Sequence, residues 1–396
     1  MKGFGLLARI IVAIILGILI GSFANDWFIR LFATFNDLFG NFLDFVIPLI
    51  IIGFIAPGIG SMGRGAGKLL GLTGAIAYTS TIIAGVFAFL VAKNIYPMLL
   101  KGQSLKSFSD PTKGLSSTFL SIEMTPLMDV MTALILSFII GLGIAAIKGD
   151  TLLNITTDFR DIIQLVIEKV IIPLLPFHIF GIFANMTAAG QVSTILSVFA
   201  KVFVMIIILH IIYLSLQYTI AGTLSKQNPF LMLRKMTPAY FTALGTQSSA
   251  AAIPVTLERA KTLNVRERIA DFTIPLLANI HLSGSTITLV SCASAIMFLQ
   301  GGMATFGSIM PFILMLGVTM IAAPGVPGGA VMAAIGLLKS MLGFDPTMVS
   351  LMIALYLAQD SLGTACNVTG DGAITSIADT LSKRKGVTKS KSVEAL

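Results

Sequence analysis

Charge is scarce in this chain. Asp, Glu, Lys and Arg make up 11% of its 396 residues, while 56% are hydrophobic. A soluble domain is about a quarter charged, so an ordinary water-facing surface is excluded. A mean hydropathy of +0.94 calls instead for hydrocarbon as the solvent, and for a polytopic membrane protein. Cysteine is nearly absent too. Cys292 and Cys366 sit in apolar runs at no metal or disulfide spacing, and read as small core residues. No His-Glu-x-x-His zinc motif occurs. No small-residue cleavage site follows the first apolar stretch, Phe4 to about Phe23, which is long enough to span a bilayer rather than serve as a removed signal. The net charge of +8 gathers in short loops and in the tail "KRKGVTKSK". That is the positive-inside pattern of a cytoplasmic face and not a nucleic-acid surface. Both termini are therefore expected in the cytoplasm, with the chain crossing the cell membrane many times among lipid.

Spans of about 20 apolar residues are expected near 4–24, 38–59, 70–96, 126–147, 160–189 and 193–224. The segment at 98–125 is polar and expected outside the cell, and the loop with Arg64 and Lys68 inside. Past residue 225 the simple pattern fails. Pro229 to Val255 is apolar but broken by "GTQSSAAAIP". Lys226, Arg234 and Lys235 precede the break, and Arg259, Lys261, Arg266 and Arg268 follow. Positive charge on both sides means entry and exit on one face, hence a re-entrant hairpin. From Gly301 to Leu338 the sole interruption of a charge-free run is "APGVPGGA". Proline removes a donor and clashes with the preceding turn, so two half-helices meeting at a turn are expected. Full helices at about 268–298 and 346–379 complete an order of hairpin, helix, hairpin, helix. This reads as an inverted repeat, and interrupted segments in corresponding places point to a transporter binding site. The fold expected is all-α, with eight transmembrane helices and two re-entrant hairpins.

The last of these helices carries "QDSLGTACNVTGD" (359–371). Asp360, Thr364, Asn367 and Asp371 fall at i, i+4, i+7 and i+11, on one face. The two carboxylates then lie about 16 Å apart along the axis. Charge at membrane depth is costly and marks an ion or substrate path. A carboxylate offers acceptors only, suiting an ammonium group or a hard cation. Asp360, nearer mid-span, suits an amino-acid ammonium. Asp371, beside an asparagine and glycine carbonyls, suits Na⁺. An intramembrane aspartyl protease is excluded, because its carboxylates must share a proton at close range. A channel is the rival that a concentrative uptake assay would separate.

Four motifs, "TQSSAAAIPVT" (246–256), "PLLANIHLSGS" (275–285), "GVPGG" (325–329) and "NVTGD" (367–371), resemble those of the dicarboxylate/amino acid:cation symporters, the glutamate transporter homologues. The likeness spans essentially the whole chain and implies a homotrimer of elevator-type protomers. Residues 1–70 would hold scaffold spans one and two, 71–97 the third span, and 98–192 the outer loop and scaffold spans four and five. Residues 193–380 would complete the transport domain, with 381–396 a basic cytoplasmic tail. The hairpin around 302–340 would be the extracellular gate.

Carried over position by position, Asp360 would bind the substrate ammonium, with Thr364, Asn367 and Ser285 lining the site. Ser248, Ser249 and the backbone near Val326 and Gly328 would hold its carboxylate. Asp371, Asn367 and the Leu277 backbone would form one sodium site. The Asn279 backbone, the Leu282 position and the hairpin turn at about 320–323 would form a second. Acidic-substrate members carry an arginine where this chain has Gly363, and some have one where it has Gln247. Guanidinium is the usual bidentate partner of a carboxylate, so a neutral substrate such as serine, threonine or alanine is implied. The alternative is an acidic amino acid or C4-dicarboxylate. The family's "NMDGT" stands here as His281, Leu282, Ser283, Gly284 and Ser285. A third cation site thus loses its aspartate, and His281, replacing an asparagine ligand, brings protons into question. One or two coupled sodium ions and no organic cofactor are expected, and no enzymatic activity.

Overall fold

The computed structural model describes residues 6–63, 68–101, 118–190, 192–302, 305–321, 323 and 327–384. The described residues form fifteen α-helices and no strand. In order these are α1 (Leu6–Gly21), α2 (Asp26–Gly63), α3 (Lys68–Leu99), α4 (Val130–Ala146), α5 (Thr151–Val166) and α6 (Ile172–Ala188). There follow α7 (Val192–Ser225), α8 (Pro229–Thr246), α9 (Ser249–Lys261), α10 (Glu267–Ile280) and α11 (Ser283–Leu299). The chain ends in α12 (Phe306–Ile321), α13 (Gly329–Leu342), α14 (Pro346–Leu357) and α15 (Asp360–Arg384). Arg64, most of the expected outer loop (102–117) and the tail beyond 384 lie outside the described residues.

Among the described residues, five helical stretches are long and apolar enough to cross a membrane, or six if the bent pair α14–α15 counts as one. α1 and α4, with 16 and 17 residues, fall short of the expected span length. Other helices run longer than expected. α2 begins at Asp26 rather than near 38, because Asn25 Oδ1 takes the Phe28 N–H at 3.0 Å and starts the helix there. α5 begins at Thr151, not near 160, and runs through a π-helical turn (Ile167–Ile171) into α6.

Packing falls into two groups. α1, α2, α4, α5 and α6 pack chiefly on one another. α3 leaves them for α11, α12 and α15, joining a second group with α7 to α15. The groups also pack on each other, chiefly α12 and α13 on α2. Polar contacts between them include Lys339 Nζ on α13, 2.6 Å from both carboxylate oxygens of Asp44 on α2, and His178 Nε2 on α6, 3.2 Å from Ser350 Oγ on α14.

Within the second group two pairs of consecutive helices pack on each other. α8 and α9 fold back on each other, so that Lys235 Nζ reaches the Thr262 carbonyl at 2.6 Å. α12 and α13 pair likewise. The two helices expected to be continuous are interrupted. One breaks at His281–Leu282, between α10 and α11. The other bends by 59° between α14 and α15. At that bend the Gln359 N–H bonds Tyr356 O instead of Leu355 O, and the Gln359 side chain takes the Leu355 carbonyl at 3.1 Å. The side chain replaces the bond its own backbone gave up. The broken ladder stays satisfied, as a buried backbone must.

Close approach sets the packing of α1. Its Gly17 and Gly21, spaced as small-xxx-small, lie on α6. A Cβ at Gly17 would stand 2.7 Å from the Phe180 carbonyl, and one at Gly21 would strike that of Ala184. Such seams let helix backbones approach in lipid. Gly17→Val is expected to destabilise the protein by about 1–3 kcal/mol, read as a lower Tm in detergent. An unchanged Tm would mean that α1 and α6 are not held by this seam.

Candidate functional site

α11 starts deep inside the protein, and its N-cap Leu282 has no side chain to offer the freed N–H groups. The partner comes from α15. Asn367 Oδ1 accepts the N–H of Gly284 at 2.8 Å and of Ser285 at 3.2 Å, while its Nδ2 donates to Ser285 Oγ at 2.9 Å. This needs the two helices almost in backbone contact. A Cβ on Gly284 would stand 2.5 Å from both the Gly363 carbonyl and Cys366 Cβ, so glycine alone fits.

Asp360 opens α15 and is 6% exposed. Its Oδ2 accepts the Gly328 N–H at 2.7 Å, at the start of α13. Ser285, in the first turn of α11, lies against Gly363. Three helix N-termini (α11, α13 and α15) thus begin within about a turn of one carboxylate. Helix N-termini favour anions, so the place can receive both ends of a zwitterion: a positive group on Asp360 and a negative one on free N–H groups.

Eleven residues further along the same helix, Asp371 is also buried, with Oδ1 2.8 Å from His281 Nδ1. The directions of the surrounding bonds assign the imidazole tautomer. Tyr213 OH donates to the Ser80 carbonyl, and Gln217 Nε2 donates to Ser80 Oγ at 3.0 Å. Ser80 Oγ lies 3.0 Å from both His281 Nε2 and Tyr213 OH. A carboxylate only accepts, so His281 carries a proton on Nδ1 and gives it to Asp371 as a hydrogen bond. Gln217 Oε1 and Thr369 Oγ1 nearby are buried without partners.

The other expected positions are placed as follows. Thr364 is buried on the Asp360–Asn367 face of α15. Ser248 caps α9, accepting the Ala251 N–H at 3.3 Å, and Ser249 begins that helix. Gln247, between the hairpin arms, is left-handed with φ 55°. The Leu277 carbonyl accepts the His281 N–H at 2.9 Å. The Asn279 side chain is exposed and bonds back to the Pro275 carbonyl at 2.9 Å, and Leu282 is half-buried. Val326 and part of the 320–323 turn lie outside the described residues. Gly363 backs onto α11, where a Cβ would meet Ser285 at 3.4–3.5 Å, an ordinary contact. Sequence reasoning missed Ser80, Tyr213, Gln217 and Tyr356. A signal existed for one pair: Tyr213 and Gln217 stand i, i+4 on an apolar helix.

The sequence pattern of the sodium:dicarboxylate symporter family matches residues 6–381. A serine/threonine transporter SstT of Enterococcus faecalis is 24% identical, over 97% of this chain and 93% of its own length. A serine/threonine transporter SstT of Acinetobacter baumannii is 25% identical, over 96% of this chain and 97% of its own.

Replacing Asn367 by Ala strands the Gly284 and Ser285 N–H groups, at about 1–3 kcal/mol each. The expected result is a lowered Tm and faster hydrogen exchange of those two amides. Unchanged exchange would remove Asn367 from the capping role.

Proposed function

The chain is a member of the sodium:dicarboxylate symporter family, and from that premise we propose that it imports a small neutral amino acid, of the serine, threonine or alanine kind, on a sodium gradient. It is a membrane transporter and not an enzyme. The observation that carries the substrate reading is the buried Asp360 carboxylate standing where α11, α13 and α15 begin. An ammonium group replaces the Gly328 N–H or shares Asp360 with it. The substrate carboxylate goes to helix N-termini, including that of α9 at Ser248 and Ser249. Gly363, backed onto Ser285, supplies no cation for a second carboxylate. Binding glutamate there would strand a desolvated charge. The printed activity of both relatives agrees with a neutral substrate. The family's own description keeps a dicarboxylate substrate as the second reading.

The same reading takes α8–α9 and α12–α13 as re-entrant hairpins, and the second packing group as the part that moves against the first in an elevator within a homotrimer. Its support is the division of packing into two groups joined by few polar contacts. Sodium, as co-substrate, is assigned to Asp371 with the carbonyls of Asn367 and Leu277, and to a second site at Asn279, Leu282 and the hairpin turn. His281 donates a hydrogen bond to Asp371 at the first of these sites.

Two measurements test the proposal. In proteoliposomes with an inward sodium gradient, the wild-type protein is expected to concentrate serine, and aspartate and succinate poorly. Asp360→Asn is expected to lower serine uptake roughly a hundredfold or more with little change in Tm. Preference of the wild-type protein for aspartate or succinate would overturn the substrate assignment. Apparent sodium affinity should also change in His281→Asn, since His281 donates a hydrogen bond to Asp371. An unchanged sodium affinity in that variant would leave His281 a structural group.

A further inference from the structure

Tyr356 lies at the end of α14, four residues before Asp360, and is one of the largest fully buried side chains in the protein. Its hydroxyl stands beside the Asp360 carboxylate and Ser285. Among the described residues it makes no hydrogen bond of good geometry. A buried polar group left unpaired costs about 1–3 kcal/mol, and native proteins leave few such groups unexplained. The position is fixed by the bend after α14. The Tyr356 carbonyl holds the Gln359 N–H at 2.9 Å, and the Gln359 side chain holds Leu355.

The chemistry of an α-amino acid says what could complete that hydroxyl. In serine the nitrogen and the β-hydroxyl are three bonds apart, and in a gauche rotamer they stand about 3 Å from each other. An ammonium placed on Asp360 therefore carries the β-hydroxyl within reach of a group beside the same carboxylate. Tyr356 is that group, and a phenol can donate to or accept from an alcohol. Gly363 adds no side chain on the facing surface of Ser285.

We propose that the Tyr356 hydroxyl is a specificity-determining contact, hydrogen-bonded to the β-hydroxyl of bound serine or threonine. This rests on the neutral amino acid reading above. It separates substrates that bear a hydroxyl from those, such as alanine, that do not. It also gives the site a means of rewarding serine without a charged side-chain partner.

Tyr356→Phe tests this while keeping the ring and its packing. Uptake kinetics in proteoliposomes are compared for serine, threonine and alanine, and each substrate's protection against thermal unfolding is measured in detergent. The expected result is that KM for serine and threonine rises about tenfold, that KM for alanine is unchanged, and that serine loses its advantage in thermal protection. Equal rises for serine and alanine would give the hydroxyl a role through Asp360 alone and overturn the proposal. No change for either would make Tyr356 a packing residue and overturn it also. A wild-type protein that takes up none of the three overturns the neutral amino acid reading itself, and this contact with it. Normal wild-type serine uptake with an unselective mutant overturns the contact only.

Discussion

A helix interrupted where water cannot reach must find protein partners for every backbone group the interruption frees. This requirement organises the second packing group. The break before α11 is met by Asn367, the bend before α15 by Gln359, and the start of α13 by Asp360. Each partner lies on α15 or in the turn that leads into it. α15 must therefore run close to α11, and the crossing at Gly284 has room for no Cβ. Polar side chains that look costly in an apolar helix are the groups that make broken helices tolerable.

Much of this was legible in the sequence because composition and periodicity are strong signals in membrane proteins. The all-helical class, the face shared by Asp360, Thr364, Asn367 and Asp371, and the paired helices flanking "GTQSSAAAIP" and "APGVPGGA" all follow from local pattern. The breaks at His281 and at Gln359 were not legible. Neither carries a proline or glycine at the break: the first is capped by Asn367, distant in sequence, and the second by a glutamine side chain that reaches back to a carbonyl four residues earlier. The early start of α2 was missed for a different reason. A span rule finds apolar length, whereas residues 26–37 form helix on the strength of an asparagine cap while carrying Asp26, Arg30 and Asp37.

His281 stood out in the sequence, but its bonding was not legible there. The structure sets it beside Asp371. Ser80 and Gln217, from α3 and α7, lie against its other ring nitrogen, and Tyr213 bonds Ser80. Three segments distant in sequence decide the electrostatic character of one carboxylate. A substitution at Ser80 or Gln217 acts on Asp371 through the imidazole, although neither residue touches it in the sequence or belongs to the motif.

Cys366 lies on the α15 side of the crossing, and Cys292 sits within α11. Both are free thiols with no exposed surface. A thiol-reactive reagent can reach them only when the surrounding helices part, so the labelling rate measures the free energy of that local opening. The protein thus carries its own gauge of how tightly α11 and α15 stay together, readable by mass spectrometry without any engineered probe. For the same reason, a single cysteine placed on the lipid-facing or loop surface would be labelled against a nearly silent background.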